Sequence, residues 1–111
     1  MLFRSQDIAA RYGGEEFVVV LPNTVLRSAI TVADHIRRAV MTKELRKRST
    51  GAHLGRITIS VGAAVLRSGD TPRALIARAD TCLYAAKRNG RNRVICESDP
   101  EVSAVGEAQV A

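Results

Sequence analysis

The chain has 111 residues, 46% of them hydrophobic and only 4% aromatic, which suits one globular domain with an aliphatic core. No apolar run reaches the length of a bilayer span and no signal-peptide pattern opens the chain, so a cytoplasmic protein without direct membrane insertion is expected; Cys82 and Cys96 lack metal-ligand or redox spacing and read as reduced core residues. All 17 basic residues precede Glu97 while four of the 11 acidic ones follow Cys96, so residues 1–96 carry +10 and the remainder −4, and the basic part calls for an anionic partner.

Met1 to Gln6 is short and basic, and Asp7 to Tyr12 reads as a strand. Gly13 and Gly14 can supply the positive φ angles of a tight two-residue turn. Glu15 and Glu16 then leave that turn toward opposite faces, because side chains alternate along a strand. Phe17, Val19 and Leu21 share one face and Val18 and Val20 the other, the pattern of a central strand, which Pro22 ends. Asn23 and Thr24 offer helix-capping side chains. Leu26, Ala29, Ile30, Ala33, Ile36 and Val40 follow at helical spacing as a buried stripe, leaving Arg27, Asp34, Arg37 and Arg38 mostly on the wet side.

Between Lys43 and Arg56 the periodicity fails, and Lys43, Arg46, Lys47 and Arg48 suggest a solvated basic loop. Ile57, Ile59, Val61, Ala63 and Val65 alternate with smaller or polar residues as a strand. Thr71 or Asp70 can cap a second helix that begins at Pro72, buries Leu75, Ile76, Ala79, Leu83 and Ala86, and stops at Asn89-Gly90. Val94 to Cys96 adds a short strand. Residues 97–111 are acidic and, beyond Pro100, without period, so a frayed tail is expected after a domain spanning 1–96. The order predicts an antiparallel α+β layer.

Three groups of residues carry possible chemistry. The carboxylates Glu15 and Glu16 at a glycine turn are either a solvated hairpin tip or oxygen ligands for a hard divalent ion. Lys87 and Arg91 at the end of the second helix either complement its dipole or contact an anion. Arg4 and Asp7, three apart, are either a solvated pair or a recognition site. His35 and His53 have no metal-like partner at useful spacing. With Phe3, Tyr12, Phe17 and Tyr84 as the aromatic residues, a base-stacking platform is not expected, and neither is a nucleic-acid partner.

Gly13-Gly14-Glu15-Glu16-Phe17 resembles the signature of the GGDEF family, the diguanylate cyclases, in its GGEEF form. Arg4-Ser5-Gln6-Asp7 lies where that family has its RxxD product site, and Ile59-Ser60-Val61-Gly62 resembles a later strand. Ala79-Asp80, Tyr84-Ala85-Ala86-Lys87 and Gly90-Arg91-Asn92-Arg93-Val94 resemble the C-terminal helix and phosphate-binding turn. The resemblance implies condensation of two GTP molecules into cyclic dimeric GMP plus pyrophosphate, with Mg²⁺ or Mn²⁺ as cofactor and a homodimer bringing two half-sites together. It makes Glu15 a metal ligand and, with Glu16, catalytic. Gly13, Gly14, Lys87 and Arg91 become substrate-binding residues, and Arg4 and Asp7 the product-inhibition site.

The same resemblance implies a ferredoxin-like, nucleotidyl-cyclase-like sheet, N-terminally truncated here and missing its central first strand. A gap is then expected between the strand after the GGEEF turn and the strand at 57–65. The family's additional metal-binding aspartate and its guanine-reading residues belong to that absent part, which implies that the 111-residue chain alone is inactive. The alternative is a catalytically silent module that binds cyclic dimeric GMP.

Overall fold

A computed structural model describes residues 7–42, 44–46 and 53–102. Its elements are β1 (Ile8–Gly13), β2 (Glu16–Val20), α1 (Leu26–Met41), β3 (Glu44–Arg46), β4 (His53–Arg56), β5 (Val61–Ala63), α2 (Pro72–Arg88) and β6 (Val94–Cys96). The strands form three separate pairs: antiparallel β1–β2, antiparallel β3–β4 and parallel β5–β6. The architecture is α+β. Parallel pairing of β5 with β6 departs from the purely antiparallel expectation, because α2 serves as the crossover between them.

The β5–α2–β6 unit holds the core. Cys82, Ala85, Ala86 and Ile95 form one buried cluster, and Val102 packs against it. These side chains are small, so the backbones come close. A Cβ added to Gly62 on β5 would lie 2.1 Å from the Ala79 carbonyl oxygen and 2.3 Å from the Leu83 nitrogen, both backbone atoms of α2. Helix α1 packs on the same strand pair and buries Ala33. The α2 stripe read from sequence lies inward, with Ala86 at 0% exposure; Cys82, read as a core cysteine, and Ala85, which was not part of the stripe, are equally buried.

Thr71 caps α2 as expected: its hydroxyl accepts from Ala74 N at 3.1 Å, and Pro72 occupies the first turn. Asn23 and Thr24 do not cap α1. Val25 holds that position without a side-chain bond, and Thr24 Oγ1 instead donates to Pro22 O at 3.0 Å. Arg37, expected on the wet side, is only 15% exposed because it pairs with Asp34. The guanidinium beside Asp34 lowers that carboxyl's pKa.

Several strand expectations change. The turn is shifted by one residue: Gly13 pairs with Glu16, so Gly14 and Glu15 are its central residues. Only Gly14, at φ +52°, has a positive φ there, as in a type II′ turn. Thus Glu15 sits in the turn rather than on the strand. Among the described residues β2 has one partner, β1, and is not central; Phe17 is 70% exposed. The strand expected over 57–65 shrinks to Val61–Ala63, the part that finds a partner in β6. Among the described residues β2 and β5 belong to separate strand pairs. Residues 44–46 and 53–56, read as loop, form the β3–β4 hairpin, whose strands are too short and too charged for alternation to register.

The segment after β6 is held rather than frayed as far as Val102. Arg78 on α2 donates from Nε to Glu97 at 2.7 Å, from Nη1 and Nη2 to Asp70 at 3.1 and 2.7 Å, and from Nη2 to Val65 O at 2.6 Å. Arg67 adds a contact to Glu97 at 3.3 Å. Cys96 N donates to Asp99 Oδ2 at 2.8 Å, and residues 100–102 make a helical turn. Residues 103–111 lie outside the described residues. Both cysteines are free, and burial pushes the Cys82 thiol up to about 11.

Two predictions follow from this packing. Gly62→Ala must separate two backbones that cannot yield like a side-chain tip, so it should cost at least about 3 kcal/mol in denaturant unfolding. The Arg78 guanidinium holds Asp70 down at about 2, below its value in the unfolded chain. Its contribution to stability is therefore complete above about pH 4 and lost as pH falls toward 2. Acid titration of the melting temperature should show this loss, and Asp70→Asn should flatten that part of the curve.

Candidate active site

The acidic half of the site is the tip of the β1–β2 hairpin. Arg11 Nε and Nη2 both donate to the Gly14 carbonyl, at 3.2 and 3.0 Å, tying the turn to the strand that enters it. That brace was not anticipated; an arginine two residues before a glycine pair is its sequence trace. Glu15 projects exposed from the turn. Glu16, the first residue of β2, turns toward α2 and places Oε1 3.9 Å from Lys87 Nζ, each side chain about 40% exposed (41% and 39%). On the hairpin strands Ile8, Phe17, Val19 and Val20 are exposed.

The basic half is the end of α2 and the turn after it. Asn89 closes the helix, its amide Nδ2 donating to Ala85 O at 2.7 Å. Gly90, Arg91 and Asn92 then take positive φ angles of 107°, 61° and 49°. Arg91 N donates to Ala86 O at 2.9 Å, leaving its side chain exposed beyond the helix end. Arg88 lies over the Tyr84 ring, 5.9 Å from the centroid, and so on the helix surface.

Of the residues singled out from sequence, the structure therefore brings Glu16 to Lys87, with Gly13, Gly14 and Glu15 on the same tip and Arg91 four residues beyond Lys87. Asp7 lines a different cavity of about 330 Å³ with Leu21, Thr24 and Val25 among others. Arg4 lies outside the described residues. A larger cavity of about 510 Å³ runs between α1 and the start of β6, lined by His35, Arg37, Arg38, Asn92 and Arg93 among others. Neither cavity includes Glu15, Glu16, Lys87 or Arg91. The side chain of His53 is not described.

No group of three or more His, Cys, Asp or Glu residues that could hold a metal ion occurs among the described residues. Two adjacent carboxylates nevertheless fit magnesium, which keeps several waters and takes one or two protein carboxylates together with substrate phosphates. Glu15, unlike Glu16, has no cation against it among the described residues, and so is the carboxylate left for such an ion.

With this geometry in view, residues 1–93 match the family described as Diguanylate cyclase, GGDEF domain. The chain belongs to the GGDEF family. It is 44% identical over 93 residues to the response regulator PleD of Caulobacter vibrioides, covering 83% of this chain and 20% of that protein. Over 94 residues it is 43% identical to the diguanylate cyclase VdcA of Vibrio cholerae, covering 85% and 28%. The GGDEF domain of DgcB from Caulobacter crescentus, solved in complex with c-di-GMP (cyclic dimeric GMP), superposes with a TM-score of 0.83. It shares 41% identity across 86% of this chain and 55% of the DgcB chain. The active GGEEF domain of a Vibrio cholerae diguanylate cyclase gives a TM-score of 0.75 at 33% identity, over 88% and 60%. This GGDEF chain thus spans about a fifth of the length of PleD. No helix among its described residues is long and apolar enough to cross a membrane.

The Glu16–Lys87 pair joins the halves of the site but is half-exposed, so Glu16→Gln should change global stability by no more than about 1 kcal/mol. Denaturant unfolding followed by circular dichroism checks this expectation.

Proposed function

We propose that this chain is part of a cytoplasmic diguanylate cyclase, contributing the acidic turn and the phosphate-binding turn of a site that joins two GTP molecules into cyclic dimeric GMP. The observation that carries the reading is the approach of Glu16 to Lys87 at 3.9 Å, which sets an acidic glycine turn beside the basic end of a helix. Family membership over residues 1–93 supports it independently.

In the reaction each GTP 3′-hydroxyl attacks the α-phosphorus of the other molecule. One P–O bond forms to the sugar oxygen, the P–O bond to pyrophosphate breaks, and the hydroxyl proton departs. Positioning and charge neutralisation dominate such transfers. Lys87 and Arg91 hold the triphosphate, a point charge and a planar fork acting together. Gly13 and Gly14, with no Cβ and nothing within 4 Å of where one would stand, let nucleotide reach the turn backbone. Glu15 accepts the hydroxyl proton and would be a ligand of Mg²⁺ or Mn²⁺, and Glu16 keeps Lys87 at the turn. The bound ion would neutralise phosphate charge and favour the alkoxide. Two half-sites must face each other, which calls for a homodimer.

Arg4 and Asp7 are assigned to a product-inhibition site, the arginine fork engaging phosphate or a guanine edge and the carboxylate accepting from guanine nitrogens. The c-di-GMP bound to the related DgcB domain supports such a role. The domain assignment is residues 1–96, with 97–111 as an acidic extension.

A second reading, a silent module that binds cyclic dimeric GMP without making it, draws on the absence of a three-residue metal cluster among the described residues. Pyrophosphate release from GTP and Mg²⁺ separates the two readings. The 111-residue chain alone is expected to release none. The longer protein that contains it should release pyrophosphate, and Glu15→Ala should reduce its rate at least about a hundredfold. Absence of turnover in that longer protein, with cyclic dimeric GMP still bound, establishes the silent module. Arg4→Ala should leave the initial rate intact and shift the product-inhibition curve to higher concentration.

A further inference from the structure

Arg91 and Asn92 are consecutive residues with side chains in the left-handed region, at φ +61° and +49°, a conformation that asparagine tolerates but that arginine holds only with support from surrounding contacts. Those contacts converge on Asn92. Its backbone N–H donates to Ser60 Oγ at 3.2 Å, its Nδ2 donates to Met41 Sδ at 3.3 Å, and its Oδ1 accepts from Arg37 Nη1 at 3.0 Å. Arg37 is aimed in turn by Asp34, whose Oδ1 accepts from Arg37 Nε at 2.9 Å. At 15% exposure the guanidinium is committed to these bonds rather than offered to a ligand. Its planar fork spans the carboxylate and the amide at once, which the single nitrogen of lysine does not.

We propose that Arg37 and Asn92 are positioning residues for Arg91: α1 reaches across to pin the left-handed turn and thereby aims Arg91 at the phosphates of GTP. The inference rests on the reading of Arg91 as a phosphate contact. It assigns α1, which carries none of the residues of the acidic turn or the helix end, a part in nucleotide affinity.

The test is a double-mutant cycle on binding of 3′-deoxy-GTP, which lacks the attacking hydroxyl, to the longer protein that contains this chain, in Mg²⁺ and read by titration calorimetry. Arg37→Lys keeps the charge but loses the fork, and should weaken binding about fivefold or more. In an Arg91→Ala background the same substitution should change affinity less than about twofold, because its effect runs through Arg91. Amide exchange at Arg91, whose N–H is bonded to Ala86 O, should accelerate in Arg37→Lys while the melting temperature stays close to wild type. If Arg37→Lys does not fold, Asn92→Gly carries the cycle, since glycine accepts the positive φ but offers no side-chain acceptor. Equal losses with and without Arg91, or unchanged affinity in Arg37→Lys, overturn the inference alone. A wild-type longer protein that does not bind the nucleotide removes the phosphate reading of Arg91 and the inference with it.

Discussion

The separation between α2 and β5 sets the geometry of everything else. With glycine at 62, the strand lies where any Cβ would run into the Ala79 carbonyl and the Leu83 backbone. The small residues Cys82, Ala85 and Ala86 continue that close fit toward β6. Because the helix is seated on backbone rather than on long side chains, its axis has little room to shift. The position of its C-terminal end, with Lys87 and the turn bearing Arg91, follows from that seating. Arg78 ties the same helix to the segments that follow β5 and β6, joining Asp70, Val65 and Glu97 through one guanidinium.

The acidic half has a different footing. An isolated two-stranded hairpin is only marginally stable in water, and β1–β2 exposes apolar side chains on its strands. Arg11 braces the turn locally and Glu16 reaches Lys87, but both are solvent-facing contacts of small energetic weight. The site is thus divided between a firmly seated basic part and a lightly supported acidic one. For the phosphoryl chemistry proposed, in which rate depends on placement to within an ångström, the acidic turn needs further support; among the described residues β2 pairs only with β1 and β5 only with β6. That a GGDEF domain of known structure aligns over only 55% of its chain accords with this division.

Much of the site could be read directly because its parts are local. A glycine pair followed by two glutamates, and a helix ended by Asn-Gly with basic residues around it, are short-range statements about turn chemistry and charge. Thr71 and Pro72 announced the start of α2 for the same reason. Two local expectations failed, the capping of α1 by Asn23 or Thr24 and the position of the turn; the other errors fell where a partner decides the outcome. Alternation from Ile57 to Val65 described a longer strand than forms, since a ladder extends only as far as its neighbour. The apolar faces of β2 suggested a central strand, although such faces record what a strand is suited to touch rather than what it touches. Arg37 looked like a solvated residue on a helix, and only the return of the chain 55 residues later, at Asn92, gave its guanidinium a second acceptor.

The amino-acid order alone determined the family, the two helices, the acidic turn and the basic helix end, because each depends on residues within a few positions of one another. Tertiary structure alone decided that Glu16 faces Lys87, that Gly62 admits α2, and that Asn92 is pinned from α1. These are meetings of distant segments, and their distances come from how the backbones pack, which no local pattern encodes.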